Sequence, residues 1–147
     1  MYKHLLIPTD GSELSNRAVA SAIEFARSLK AKITFLYVQP EFPLPIAGEG
    51  AMLAPESRDE FAQSTREQAE RILAEAAVTA KAAGLETSTT TEVSDIPYQV
   101  IINTAQNRGC DLVFMASHGR KGLAGLLLGS ETHKVLTHCK VPVLVYR

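Results

Sequence analysis

The sequence predicts a doubly wound α/β fold, a five-stranded parallel sheet with helices on both faces. Three observations carry that expectation. Short apolar runs alternate with helix-length amphipathic segments from one end of the chain to the other. Most of those runs are continuously apolar, the pattern of strands buried on both faces. No internal repeat or shift of composition divides the 147 residues, so 1–147 reads as a single domain. At that length about 70% of the unfolded chain's surface can be buried, enough for a core without staples.

The elements follow in order. Leu5-Leu6-Ile7, closed by Pro8, reads as the first strand. Ser12 suits the N-cap of the next helix and Glu13 its first turn, while Leu14, Ala18, Ala22, Phe25 and Leu29 recur at helical spacing. Residues Ile33–Val38 form the second strand. Pro40, Pro43, Pro45, Gly48, Gly50 and Pro55 mark one long irregular loop, a length usually associated with function. A long helix is expected from Glu56 to Ala83, with Phe61, Ile72, Leu73, Ala76 and Ala80 as its buried stripe and Gly84 at its end. The threonine-rich run Leu85–Val93 suits an exposed edge strand. Asp95 and Pro97 open a third helix, with Val100, Ile101 and Ala105 inward. Leu112–Met115 is the fourth strand, Ser130–His138 the last helix, and Val141–Tyr146 the fifth strand, with Pro142 at its start.

Composition narrows the function classes. Hydrophobic residues make up 46% and charged residues 21%, which excludes disorder, collagen and coiled coil. Fifteen basic against sixteen acidic residues give no excess pointing to nucleic acid or an anionic membrane. The apolar stretch around Leu123–Leu128 is too short to span a bilayer. Met1-Tyr2-Lys3-His4 runs straight into a strand without a small-residue cleavage site, so no signal peptide is expected. Two cysteines outside any CxxC pair, Cys110 and Cys139, suit a reducing cytoplasm.

Two loops carry unusual chemistry. A doubly wound sheet binds ligands at the carboxyl ends of its strands, where the winding reverses. Strand order cannot be read from one sequence. In the order 3-2-1-4-5, however, the first and fourth strands are central neighbours and their exit loops meet. The first exit loop, Pro8-Thr9-Asp10-Gly11-Ser12, sets a carboxylate and hydroxyls beside a helix N-terminus. Asp10 suits a ribose hydroxyl and Thr9 a base edge, although a plain turn and cap explain these residues nearly as well. The second, Ala116-Ser117-His118-Gly119-Arg120-Lys121-Gly122, leads on to Gly129-Ser130 at the last helix. Small residues let backbone N–H groups approach a phosphate, the helix N-terminus adds positive charge, and Arg120 and Lys121 add more. The alternative is a solvated loop. Neither GxxxxGK[ST] nor GxGxxG is present.

At this point the sequence is similar to a known family. Met115-Ala116-Ser117-His118-Gly119, Leu126-Leu127-Leu128-Gly129-Ser130 and Val141-Pro142-Val143-Leu144-Val145 resemble the universal stress protein family. So do Ile7-Pro8-Thr9-Asp10-Gly11-Ser12 and Tyr37-Val38, so the resemblance covers essentially the whole chain. Nucleotide-binding members carry glycine, two residues, glycine, nine residues, glycine, then serine or threonine. Gly119, the run Arg120–Leu128 and Gly129-Ser130 fit, whereas Ala116 replaces the first glycine. An ordinary strand-end conformation at Ala116 would leave the loop intact; a positive φ would weaken binding.

The resemblance implies a Rossmann-like domain holding an adenine nucleotide, ATP or AMP, in both loops. Pro8, Thr9 and Asp10 would surround base and ribose, with Val38 beside the adenine. Met115, Ala116, His118, Gly119 and Arg120 would follow ribose and phosphates, and Gly129, Ser130 and Thr132 would hold the phosphate end. Glu131, beside that end, should favour AMP or magnesium-bound ATP over free ATP. The implied role is a cytoplasmic regulator or sensor in stress responses. It would be a homodimer through the final strand, an apolar edge, and would signal to an unidentified protein partner as nucleotide orders the loops. The alternatives are a slow ATP hydrolase needing a partner and a nucleotide-free dimeric interaction protein.

Several residues have plainer readings. His118 lacks a recognisable nucleophile and orienting acid, so no catalytic residue is assigned and no enzyme is expected. His133, His138 and Cys139 lie at a spacing that does not share a helix face, so no metal site is expected. His4 reads as a surface residue, and the charges of the long helix as a solvated face.

Overall fold

The computed structural model describes residues 1–44, 57–120, 122, 125 and 127–147. Most of the proline- and glycine-rich loop, Glu56 as a helix start, Lys121 and parts of the Leu123–Leu128 stretch lie outside the described residues. The elements are β1 (His4–Pro8), α1 (Glu13–Leu29), β2 (Lys32–Gln39), α2 (Arg58–Ala82), β3 (Thr87–Val93), α3 (Pro97–Asn107), β4 (Leu112–Ala116), α4 (Ser130–His138) and β5 (Val143–Tyr146). All sheet pairings are parallel, in the order β3-β2-β1-β4-β5. The expected order is therefore the observed one, and the exits of β1 and β4 are neighbours.

The period of two along the strands sends successive side chains to opposite faces. Leu5, Ile7, Ile33, Phe35, Leu112 and Phe114 pack beneath α1 and α2. Leu6, Leu36, Val113 and Met115 pack against Val100, Ile101 and Ala105 of α3 and Val135 of α4. Both faces are covered, which is why the central strands read as unbroken apolar runs.

Several boundaries moved for local reasons. Ser57 caps α2 in a capping box: its hydroxyl accepts from Glu60 N and the Glu60 carboxylate accepts from Ser57 N. The Ser-x-x-Glu signal for this start stands in the sequence. Phe61 is only half-buried, stacking edge-on against Phe42 at 5.5 Å, while the deep stripe runs from Ala69 to Ala80. The third strand starts at Thr87 rather than Leu85, and β5 starts at Val143, just past Pro142. His4, expected at the surface, is buried at 7% exposure. Its Nε2 lies 2.8 Å from Thr34 Oγ1, which lies 2.8 Å from Ser88 Oγ. A polar residue flanking a strand is buried when the next strand supplies a partner.

Asp95 does not cap α3. The N-cap position is Ile96, which makes no side-chain cap bond, and Asp95 Oδ1 accepts from Glu41 N at 3.0 Å instead. The acceptor for α3 comes from another helix: Glu131 Oε2 accepts from Tyr98 N at 2.8 Å.

Candidate functional site

The two exit loops are tied to each other by Asp10. Its Oδ1 accepts from Ser12 N at 2.9 Å, the local turn bond expected of an aspartate before a glycine. Its Oδ2 accepts from Arg120 N at 2.7 Å, across 110 residues of sequence. Gly119 is what permits that approach, since a Cβ there would lie 2.5 Å from Asp10 Oδ2. Gly11 holds a φ of +76°, the left-handed region that favours glycine, and a side chain there would strike Ile72 of α2. Thr9 is buried, with its Oγ1 2.9 Å from Ser15 Oγ, so its hydroxyl is held inside the turn.

On the β4 side, Thr132 bridges α4 to the strand end. Its hydroxyl donates to the carbonyls of Ala116 and Ser117 at 3.0 and 3.1 Å. Gly129 N donates to Ser117 O at 2.7 Å, and a Cβ on Gly129 would press on that same carbonyl at 3.0 Å. Gly129 is the N-cap of α4, so no side-chain oxygen caps the helix. The amides of its first turn have no intrahelical acceptors and face whatever occupies the space in front. His118 Nδ1 lies 3.0 Å from Ser117 Oγ, while its Nε2 is enclosed without a hydrogen-bond partner among the described residues. Arg120 turns its guanidinium away toward α2. With the Gln68 amide oxygen oriented to it, the contacts are 2.6 and 2.9 Å.

Between these loops lies a cleft of about 640 Å³, within the range of small-molecule sites. Each of the twelve residues singled out from the sequence lines it: Pro8, Thr9, Asp10, Val38, Met115, Ala116, His118, Gly119, Arg120, Gly129, Ser130 and Thr132. The loops arrive from opposite ends of the chain, and the parallel pairing of β1 with β4 brings them together. Sequence reading missed a further wall of Ser94, Asp95, Pro97 and Ile101. It is legible only once β2 and the α3 start are known to exit at the same sheet end. Ser15 was missed as well, although its place three residues after the Ser12 cap was a usable signal.

A model of the universal stress protein family matches residues 1–147. The chain belongs to the universal stress protein family. Universal stress protein YxiE of Bacillus subtilis is 30% identical over 149 residues, covering 100% of both chains. Universal stress protein MJ0577 of Methanocaldococcus jannaschii is 30% identical over 157 residues, covering 100% of this chain and 96% of the relative. The solved structure of MJ0577 superposes with a TM-score of 0.81 at 28% identity, covering 99% of this chain and 95% of that one. A universal stress protein solved in complex with cAMP superposes with a TM-score of 0.71 at 29% identity, covering 99% and 97%.

Against the family's glycine pattern, the departure at Ala116 is benign in conformation. Ala116 is the last residue of β4, and Lys30 is the one non-glycine among the described residues with a positive φ. The strand-end conformation needs no glycine here.

Proposed function

We propose that this universal stress protein binds an adenine nucleotide in the cleft between the β1 and β4 exits and acts as a cytoplasmic regulator, not by turnover. The observation that carries the reading is the uncapped first turn of α4, on a cleft whose lining also includes the apolar Leu36, Val38 and Met115. A helix N-terminus without a side-chain acceptor suits a phosphate, and the apolar side chains suit a base. The solved relative carrying cAMP supports the same ligand class. Under this reading Asp10 takes a ribose hydroxyl through lone pairs left over from its two loop bonds. Thr132 shapes the phosphate end by holding the Ala116 and Ser117 carbonyls. ATP would enter with Mg²⁺.

Regulation follows from the Asp10–Arg120 bond, because a ligand that engages Asp10 alters the tie between the loops and the surface they present to a protein partner. The family resemblance supports a stress-response role. The half-buried edge of β5, paired on one side with β4, supports a homodimer through that strand.

The test is direct. The purified protein is denatured and any released nucleotide identified by mass spectrometry, and ATP and AMP are titrated into ligand-free wild type and Gly119→Ala. Wild type should bind with one site per chain. In Gly119→Ala the added methyl strikes Asp10; overpacking of this kind costs about 1–3 kcal/mol, so affinity should fall about tenfold. A wild-type protein that binds neither nucleotide, or a Gly119→Ala that binds like wild type, would overturn the reading.

A further inference from the structure

Three helices direct their N-termini at the cleft, and they are not equivalent. At α1 the Asp10 carboxylate accepts from Ser12 N, and the Ser12 hydroxyl accepts from Ser15 N. At α3 the Glu131 carboxylate accepts from Tyr98 N. Two of the three positive helix ends are thus already answered by carboxylates of the protein itself. The third, α4, has no side-chain cap. Glu131 stands in its first turn, yet the carboxylate is turned to α3, with its other oxygen 3.4 Å from Lys134 Nζ.

Full charges tell the same story. Among the described residues lining the cleft, Asp10, Asp95 and Glu131 are acidic and Arg120 is basic. That guanidinium is held on Gln68 of α2 rather than over the α4 end. Among the helix ends of the described residues, the site therefore offers one uncompensated set of backbone donors, that of α4. Next to it, in the first turn of α4 and on the cleft wall, Glu131 is held in place by its bond from Tyr98 N.

Resting on the nucleotide reading above, we propose that the cleft selects an adenosine carrying a single phosphate over free ATP, and that Glu131 sets the preference. A second and third phosphate find no further open helix end among the described residues and meet a carboxylate that cannot swing away without uncapping α3. Like charges in this partly enclosed position repel more strongly than in water.

Glu131→Gln isolates the effect, because the glutamine oxygen still accepts from Tyr98 N while the charge is gone. AMP, cyclic AMP and ATP are titrated calorimetrically into both proteins, in low salt with EDTA, and the thermal midpoint of each is recorded to establish that α3 stays capped. In wild type at least one of the monophosphates should bind about tenfold tighter than ATP, the size of one screened like-charge contact. The AMP and cyclic AMP arms separate an open from a cyclised monophosphate. In Glu131→Gln the ATP affinity should rise about tenfold, the same single contact removed, with monophosphate affinity unchanged. ATP binding as tightly as both monophosphates in wild type, or a Glu131→Gln that shifts all three ligands alike, would overturn the proposal. If none of the three binds wild type, the adenine-nucleotide reading itself fails.

Discussion

The two ends of the sheet solve the same electrostatic problem with opposite thoroughness. At the amino end, the C-termini of α1 and α2 carry partial negative charge. There Lys3, Arg27, Lys30 and Lys32 rim a depression of about 440 Å³. The α1 terminus is closed by backbone bonds from Lys30 and Ala31 to the Ala26 and Arg27 carbonyls, with Lys30 itself taking the left-handed conformation, φ 55°. Asp111 accepts from the backbone N–H groups of Lys3 and His4, and His4 is tied through Thr34 to Ser88. At the carboxyl end the helix N-termini carry partial positive charge, and two of three are answered by carboxylates while the third is left open. One end is finished as structure. The other is left incomplete, which is what a binding site requires: donors oriented by the fold and not satisfied by it.

If that contrast is right, disturbing the amino end should cost stability and leave the cleft's ligand behaviour intact. The largest effect is expected from Thr34→Val. Thr34 is fully buried and its hydroxyl partners His4 Nε2. Valine preserves the shape but strands the imidazole nitrogen, a loss of about 1–3 kcal/mol in urea unfolding. Nucleotide affinity should stay that of wild type, because the hydroxyl lies outside the residues that line the cleft. A parallel loss of affinity would erase the distinction between the two ends.

The same network has a pH signature of a definite sign. Burial, with help from the Lys32 charge, holds the His4 imidazole below its ordinary 6.5, against the opposing influence of Asp111, the Arg108 carbonyl and Glu86. The unfolded chain therefore takes up the proton first. Stability should be full above about pH 6.5 and fall as the pH drops below it toward the folded-state value. Asp111 titrates in a different window: burial raises its carboxyl, but the amides of His4 and Lys3 outweigh that and hold it below 3.8, so its contribution disappears only in stronger acid. Urea midpoints between pH 7.5 and 5 should therefore decline in wild type and stay flatter in His4→Gln. Identical slopes would show that His4 is not the group responsible.

What the sequence made legible follows from which interactions are local. The strands, the α1 cap at Ser12 and the glycines of the second loop were readable because turn chemistry and apolar periodicity act within a few residues. All twelve cleft residues were reachable once β1 and β4 were placed side by side. Glu131 was placed at the phosphate end, but its bond to Tyr98 was not, because a helix capped by a side chain from another helix leaves no pattern along the chain. His4 was misread for the same reason, its partner lying thirty residues away on the next strand. The Ser57 capping box, by contrast, is local and stands in the sequence as Ser-x-x-Glu.

Ala116 sharpens the comparison from the other side, since substituting it alters the carboxyl end while keeping the backbone carbonyl that meets Thr132 of α4. The family pattern places glycine there, so one expectation is that restoring it strengthens binding. The structure argues otherwise. Ala116 continues β4, pairs with Tyr146 of β5 and does not hold a positive φ, so glycine adds no conformation that the loop needs. Its carbonyl, which accepts from Thr132, is retained in either residue. In Ala116→Gly, AMP affinity should stay within about twofold of wild type, while stability falls by about 0.5–1 kcal/mol from the entropy of glycine in a strand. Affinity and stability then move independently at a residue that lines the cleft. A gain in affinity well beyond twofold would mean instead that the methyl obstructs the ligand, and that the loop's departure from the family pattern tunes how tightly this protein holds it.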